Sequence, residues 1–139
     1  MLKSLNAYTD FGLLILRSGI GIMFMVAHGW PKLIEGPERW ARVGGAMKNL
    51  GIDFAPQVWG LLAGCVEFFG GLLLILGLFV RPASIALALV MVVASLSVFA
   101  RAGSFMGNNA HPVEVGIAVL ALVFLGAGRF SLDRKFNLS

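Results

Sequence analysis

The order of hydrophobic and polar positions along the chain predicts four membrane-spanning helices. Apolar residues dominate four stretches, which we place at 11–34, 58–79, 82–100 and 112–128. Each has a length within the roughly 17 to 25 residues that an α-helix needs to cross a bilayer. Four spans place both termini on the same side of the membrane.

The segment 37–50 has a different pattern, since it is too polar to span a membrane but is amphipathic. Its apolar residues recur at helical spacing opposite a charged face: Trp40, Val43, Met47 and Leu50 against Glu38, Arg39, Arg42 and Lys48. We expect it to lie flat at the membrane surface between helices one and two. The Gly44-Gly45 pair weakens this prediction, because each glycine costs a helix about 1 kcal/mol relative to alanine.

Composition supports the same class of protein. Of the 139 residues, 58% are hydrophobic and 13% are charged, whereas a soluble domain has about a quarter charged residues. The chain is therefore predicted to be an all-α integral membrane four-helix bundle, forming a single domain over residues 1–139 in contact with the lipid bilayer. Arg17 interrupts the first apolar run, so we expect a retained helix and not a cleaved signal peptide.

Charge and cysteine content exclude several functions. The net charge is +4, but the basic residues are scattered between apolar spans and form no stripe, which excludes nucleic acid as a partner. The single cysteine, Cys65, excludes an internal disulfide and a CxxC redox pair. The sequence contains no Rossmann glycine motif, haem-attachment motif or cysteine cluster, so electrons in any redox reaction must come from a partner or a non-covalently bound cofactor.

Glu67 lies near the middle of the second apolar stretch. An acidic residue at the centre of a membrane helix costs roughly 2.5 to 3.5 kcal/mol, so it needs a partner. At about 1.5 Å per residue, Glu67 lies about 13 Å below the start of helix two, and Arg17 lies about 16 Å below His28 on the antiparallel first helix. We therefore predict a buried Arg17–Glu67 pair, which serves either as a structural pair or in proton or ligand handling.

Further polar residues are predicted to line a cavity near this pair. On helix one, five residues recur at helical spacing and share a single stripe: Arg17, Gly21, Phe24, His28 and Lys32. On helix four, His111 and Glu114 are three residues apart and share a face. The candidate catalytic residues are Glu67, Arg17 and His28, and the candidate ligand-binding residues are His28, Lys32, Trp30, His111 and Glu114.

A metal site is a side hypothesis, because two histidines and two carboxylates on inward helix faces are typical ligands in helical bundles. Its ligands would be His28, His111, Glu114 and Glu67. The same residue types also suit simpler structural roles: His111-Pro112 as a helix start, His28 as a hydrogen-bonded helix-end residue, and Trp30 as an interface anchor. On helix three, the small residues Ser84, Ala88 and Ser95 would serve either a homo-oligomer or internal packing.

Three sequence segments together resemble the DoxX family. The matching residues are Arg17-x3-Gly21-x2-Phe24-x3-His28-Gly29-x2-Lys32-Leu33, Glu67-x2-Gly70-Gly71-x5-Gly77-x3-Arg81, and Gly126-Ala127-Gly128-Arg129-Phe130-Ser131-Leu132-Asp133. The family usually has proline where Ala127 stands. The resemblance implies a four-helix protein of the bacterial inner membrane with both termini cytoplasmic. Charge alone leaves the orientation undecided, since five basic residues lie on each side.

The resemblance also implies membrane redox chemistry, because named members of the family are linked to quinones and oxidative stress. Our leading hypothesis is a small subunit of a redox system that binds a quinone or similar molecule and works with a soluble or membrane redox partner. One alternative is a small-solute or proton carrier with Arg17 and Glu67 as its gate. Another is a non-catalytic scaffold that docks a soluble enzyme either through Arg129, Arg134 and Lys135 or through the turn at Arg81.

Overall fold

The structure is a computed structural model that describes residues 8–138, and the regular secondary structure in this range is all helical, without strands. Four helical segments are long and apolar enough to span a membrane, as predicted. We label the helices in chain order: α1 (Thr9–Ile34), α2 (Pro37–Gly44), α3 (Pro56–Leu76), α4 (Val80–Ala102), α5 (His111–Leu125) and α6 (Leu132–Lys135). The spans are α1, α3, α4 and the segment Gly107–Leu125, which contains α5.

Glycines set several helix ends that the hydrophobic pattern placed incorrectly. Helix two was predicted to reach residue 79, but α3 ends at Leu76 because Gly77 adopts a left-handed conformation with φ of 65°. The third span was predicted to begin at residue 82, but α4 begins at Val80, so Arg81 and Pro82 lie in its first turn. Helix four was predicted to reach residue 128, but α5 ends at Leu125, followed by Gly126 with φ of 74°.

The first span contains an irregularity that the sequence did not predict. Residues Met23–Gly29 form a π-helical segment, and the chain returns to α-helix over Trp30–Ile34. A π-helical turn is wider than an α-helical one, and such segments frequently occur at functional sites. The segment includes Phe24 and His28, so it changes the direction of the stripe that the regular spacing predicted.

The amphipathic segment forms helix α2 and then a 3-10 helix over Gly45–Leu50. Gly44 lies against α3, and a Cβ at this position would come within 2.6 Å of the Gly60 amide nitrogen. The glycine that weakened the helix prediction therefore permits close packing. The Trp40 indole donates a hydrogen bond of 2.7 Å to the Lys32 carbonyl, which attaches the segment to the end of α1.

Close glycine contacts also set the register of α1 against α3. A Cβ on Gly21 would lie 2.5 Å from the Gly71 carbonyl oxygen, and one on Gly29 would lie 2.5 Å from the Phe68 amide nitrogen. Neither position has room for a larger residue, so the two backbones touch. On α4, Ser84 is fully buried and Ala88 packs against the core, so these two small residues serve internal packing.

We predict that Gly21→Ala destabilises the protein by about 1 to 3 kcal/mol, because the added methyl group overpacks the α1–α3 contact. Gly12→Ala is the matched control on the same helix, since a Cβ there meets nothing within 4 Å. The control should be neutral or stabilising by up to about 1 kcal/mol. Unfolding in detergent measures both variants, and equal stability of the two would contradict the proposed register.

Candidate functional site

Glu67 forms an ion pair with Lys32 in the interior of the bundle. The Lys32 ammonium lies 2.6 Å from Glu67 Oε1 and 2.5 Å from Oε2. The Glu67 side chain is 1% exposed and that of Lys32 is 16% exposed. Gly64 leaves space for the Lys32 stem, because a Cβ there would lie 3.2 Å from the Lys32 Cβ. The carboxylate that the sequence singled out is therefore paired, with a different cation from the one predicted.

The predicted Arg17–Glu67 pair is wrong. Arg17 is buried and donates hydrogen bonds to the carbonyls of Leu74 (2.8 Å), Ile75 (3.0 Å) and Phe130. Leu74 and Ile75 belong to the last turn of α3, where carbonyl oxygens lack intrahelical partners and the helix dipole favours a cation. Arg17 therefore caps a helix end near the termini, distant from the histidines.

The error arose from the assumed depth of His28. The prediction placed His28 at the membrane surface, level with the start of helix two. In the structure, Gly29 packs against Phe68, so the adjacent His28 lies near the level of Glu67. Arg17 then faces Gly77, where a Cβ would collide with its guanidinium. Lys32, one helical turn beyond His28, reaches Glu67 with its long side chain.

Asp133 is a buried residue whose role the sequence analysis missed. Its two carboxylate oxygens accept hydrogen bonds from the amides of Phe79 (2.7 Å) and Val80 (3.0 Å) at the start of α4. The Asp133 amide in turn donates to the Gly77 carbonyl at 2.9 Å. A carboxylate at a helix N-terminus satisfies otherwise unpaired amides. The only sequence signal was the acidic residue that closes the third matching segment, but its partner lies over 50 residues away.

Two histidines, His28 and His111, line a cavity of about 310 Å³ between α1, α4 and α5. The rings of His28 and His111 are stacked, with centroids 5.7 Å apart, and the centroid of the Phe24 ring lies 6.1 Å from that of His28. The cavity is also lined by Lys32 and Glu67. Apart from these four polar residues, its lining is hydrophobic or glycine. We call this space the histidine cavity.

Two predicted binding residues lie outside the histidine cavity. Trp30 is 51% exposed and packs against Phe68. Glu114 is exposed, and the α5 residues that line the cavity are His111, Pro112 and Val115. With about 3.6 residues per turn, Glu114 projects beyond the edge of that helix face.

The predicted four-ligand metal set is therefore not assembled. Within residues 8–138, no group of three or more His, Cys, Asp or Glu side chains is placed to hold a metal ion. Glu67 is bound by Lys32, and Glu114 lies outside the cavity. Of the four predicted ligands, His28 and His111 lie beside each other, while the two carboxylates do not join them as a ligand set.

A second cavity, of about 460 Å³, lies on the other side of the ion pair. It is bounded by α3, α4 and the amphipathic segment 37–50, which we call the interfacial segment. We call this space the apolar cavity. Lys32, Glu67 and Ala94 line both cavities. The ion pair is therefore part of the partition between the two spaces.

We predict strong coupling between Lys32 and Glu67 in a double-mutant cycle. Lys32→Met alone should cost about 3 to 5 kcal/mol, because it leaves a buried carboxylate unpaired. The double variant Lys32→Met/Glu67→Gln removes both charges and should recover most of this loss. Unfolding in detergent supplies the four free energies, and additive single-variant effects would show that the pair is not formed.

Comparisons with known proteins agree with the fold. The chain is 34% identical over 143 residues to an uncharacterized protein of Haemophilus influenzae, covering 97% of this chain and 98% of the relative. It is 31% identical to an uncharacterized membrane protein of Mycobacterium tuberculosis, covering 97% and 87% of the two chains. It is 29% identical to the Bacillus subtilis protein named "Putative oxidoreductase CatD", covering 93% and 90%.

No solved structure gives a significant match to the chain. The DoxX family model matches residues 12–100, a range that includes the second span, nearly all of the first and third spans, the interfacial segment and the Lys32–Glu67 pair. With this match and the relative from Haemophilus influenzae, the chain belongs to the DoxX family of membrane proteins.

Proposed function

We propose that this protein is a small membrane subunit of a redox system and that it binds a quinone, or a similar ring-shaped molecule, in the histidine cavity. The main support for this proposal is the composition of that cavity. Two stacked histidines and a buried ion pair face one largely apolar space of about 310 Å³. A few converging polar groups in an apolar pocket of this size are typical of a small-molecule site. The oxidoreductase name of the Bacillus subtilis relative supports a redox role.

The chemistry of the site suits a quinone in three respects. An imidazole N–H from His28 or His111 donates a hydrogen bond to a quinone carbonyl oxygen. The hydrophobic lining accommodates the ring, and Phe24 and the histidines offer flat faces. Lys32 and Glu67 place an ammonium and a carboxylate in the cavity wall, where they can supply or accept a proton.

Reduction of a quinone to a quinol consumes two electrons and two protons. Under this proposal the electrons come from a soluble or membrane redox partner, and the protons reach the ring oxygens through the polar groups of the cavity. Both the Lys32–Glu67 pair and the histidines line the same space, so proton donors and the ring oxygens would lie within one cavity. Arg17, a candidate for this chemistry on sequence grounds, is left out because its guanidinium is bound to backbone carbonyls.

We expect His28→Ala and His111→Ala each to weaken quinone binding about 2- to 12-fold, the equivalent of one hydrogen bond of about 0.5 to 1.5 kcal/mol. Titration of purified protein with a short-chain benzoquinone measures this effect. Glu114→Ala is the matched control, since Glu114 follows His111 by three residues and lies outside the cavity.

Two results would count against this function. A wild-type protein that binds no benzoquinone and carries no co-purified quinone would refute the site. The second result is solute or proton flux, abolished by Glu67→Gln, in liposomes that contain the protein without a redox partner. That outcome would support the carrier hypothesis, with the Lys32–Glu67 pair between two cavities as its gate.

The proposal includes an orientation in the bacterial inner membrane, with both termini cytoplasmic and the histidine cavity in the periplasmic half. The first span and the tail meet at one end of the bundle, where the Arg129 amide donates to Asp10 at 2.8 Å. His28, His111 and the interfacial segment lie toward the other end.

We expect a cysteine at Asn49 to react with a membrane-impermeant thiol reagent in intact spheroplasts, because Asn49 is exposed in the interfacial segment. A cysteine in place of the exposed Arg134 should react only after the membrane is permeabilised, because the proposed orientation places the tail on the cytoplasmic side. A Cys65→Ser background removes the native thiol. The reverse labelling pattern would overturn the orientation.

A further inference from the structure

We propose that the apolar cavity holds the hydrocarbon chain of the same amphiphilic molecule whose polar ring occupies the histidine cavity. This inference rests on the proposed function and extends it to the class of ligand, a ring with a long chain in place of a small water-soluble molecule. Its basis is the contact between the two cavities at the Lys32–Glu67 pair.

The two cavities are adjacent. Lys32, Glu67 and Ala94 line both of them, so the side chains of these three residues form the partition that a ligand occupying both cavities would pass. Ala94 offers a single methyl group at this partition. Lys32 is a long side chain that remains 16% exposed, and its stem can shift while the ammonium stays on Glu67.

The lining of the apolar cavity selects a hydrocarbon occupant. Val43, Met47 and Leu50 of the interfacial segment contribute to its wall, and α3 and α4 contribute mostly aliphatic residues. The charged groups in its lining, Lys32 and Glu67, are already bound to each other. A polar occupant would lose its hydrogen bonds to water in such a space, whereas a hydrocarbon chain loses none.

The volumes of the two cavities and the access to the apolar cavity also favour a hydrocarbon chain as its occupant. The histidine cavity, at about 310 Å³, is at the lower end of small-molecule sites, so it accommodates a ring better than a ring with a long chain. The apolar cavity adds about 460 Å³. Its lining includes Leu62 and Leu89, which are 50% and 62% exposed on membrane-spanning helices, so a lipid-dissolved chain can enter from the side.

The test measures occupancy and not affinity, because a chain gains little hydrophobic free energy when it moves from lipid into an apolar cavity. The probe is a benzoquinone whose alkyl chain carries a photoreactive diazirine near its far end. After irradiation of the full-length protein in nanodiscs, peptide mass spectrometry locates the adducts. We expect adducts on residues of the apolar cavity such as Met47, Val66 and Val90.

Ala63→Phe is the test variant, because Ala63 lines the apolar cavity and is not part of the histidine cavity lining. It should reduce these adducts severalfold and leave binding of a chain-free benzoquinone unchanged. Ala121→Phe is the matched control, since Ala121 is exposed on α5 and lies outside both linings. Ala86→Leu fills the same cavity from α4 and replaces Ala63→Phe if that variant does not fold.

The outcomes separate this inference from the function on which it rests. Adducts confined to lipid-facing residues such as Val26 and Phe124, with chain-free benzoquinone still bound, would overturn the chain site alone. Equal labelling of the cavity by a diazirine alkane without a ring would show a lipid-chain site and would also overturn it. Failure of chain-free benzoquinone to bind at all would overturn the proposed function and this inference together.

Discussion

The Lys32–Glu67 ion pair is the interaction around which the candidate site is arranged. A bilayer interior leaves a lone carboxylate with no water to solvate it, so Glu67 needs a cation held close by. Lys32 meets this need from the end of α1, at 2.5 to 2.6 Å. The Lys32 carbonyl also accepts the Trp40 indole hydrogen bond, which joins the interfacial segment to the pair. The histidine cavity and the apolar cavity share this pair, which therefore forms part of the wall of both.

A second set of polar contacts holds the opposite end of the bundle. Arg17 binds the carbonyl end of α3, and Asp133 binds the amide end of α4, on either side of the turn at Gly77. Each charge satisfies backbone groups that a helix terminus leaves unpaired. The buried charges therefore divide into two kinds: a side-chain pair beside the cavities, and two residues that cap helix ends. Burial of a charge alone does not distinguish them, which is why Arg17 was a reasonable candidate for chemistry before its contacts were known.

Several features of the site were predictable from residue spacing. Glu67 was expected to be buried with a cation as its partner, and it is paired with Lys32. His28, Lys32 and His111 were expected to line one cavity, and all three line the histidine cavity. The partner of Glu67 was not predictable, because it depends on the register of α1 against α3. His28 was placed level with the start of helix two but lies near Glu67, an error of about nine residues, or roughly 13 Å along the helix. The π-helical turn at Met23–Gly29 adds a rotation that regular helical spacing does not contain. Glu114 was misplaced for a related reason, since two residues on one broad helix face need not enter the same cavity.

The amino-acid sequence by itself determined the class of this protein: an integral membrane helical bundle with four spans, an amphipathic segment after the first and one buried carboxylate that required a cation. These properties follow from hydrophobicity and from the cost of an unpaired charge, which are local to the chain. The tertiary structure decided which cation that was, which polar residues share a cavity, and which charges cap helix ends. Those outcomes depend on the register between helices, which is set by backbone contacts at glycines such as Gly21 and Gly29 whose partners lie about 40 to 50 residues away along the chain.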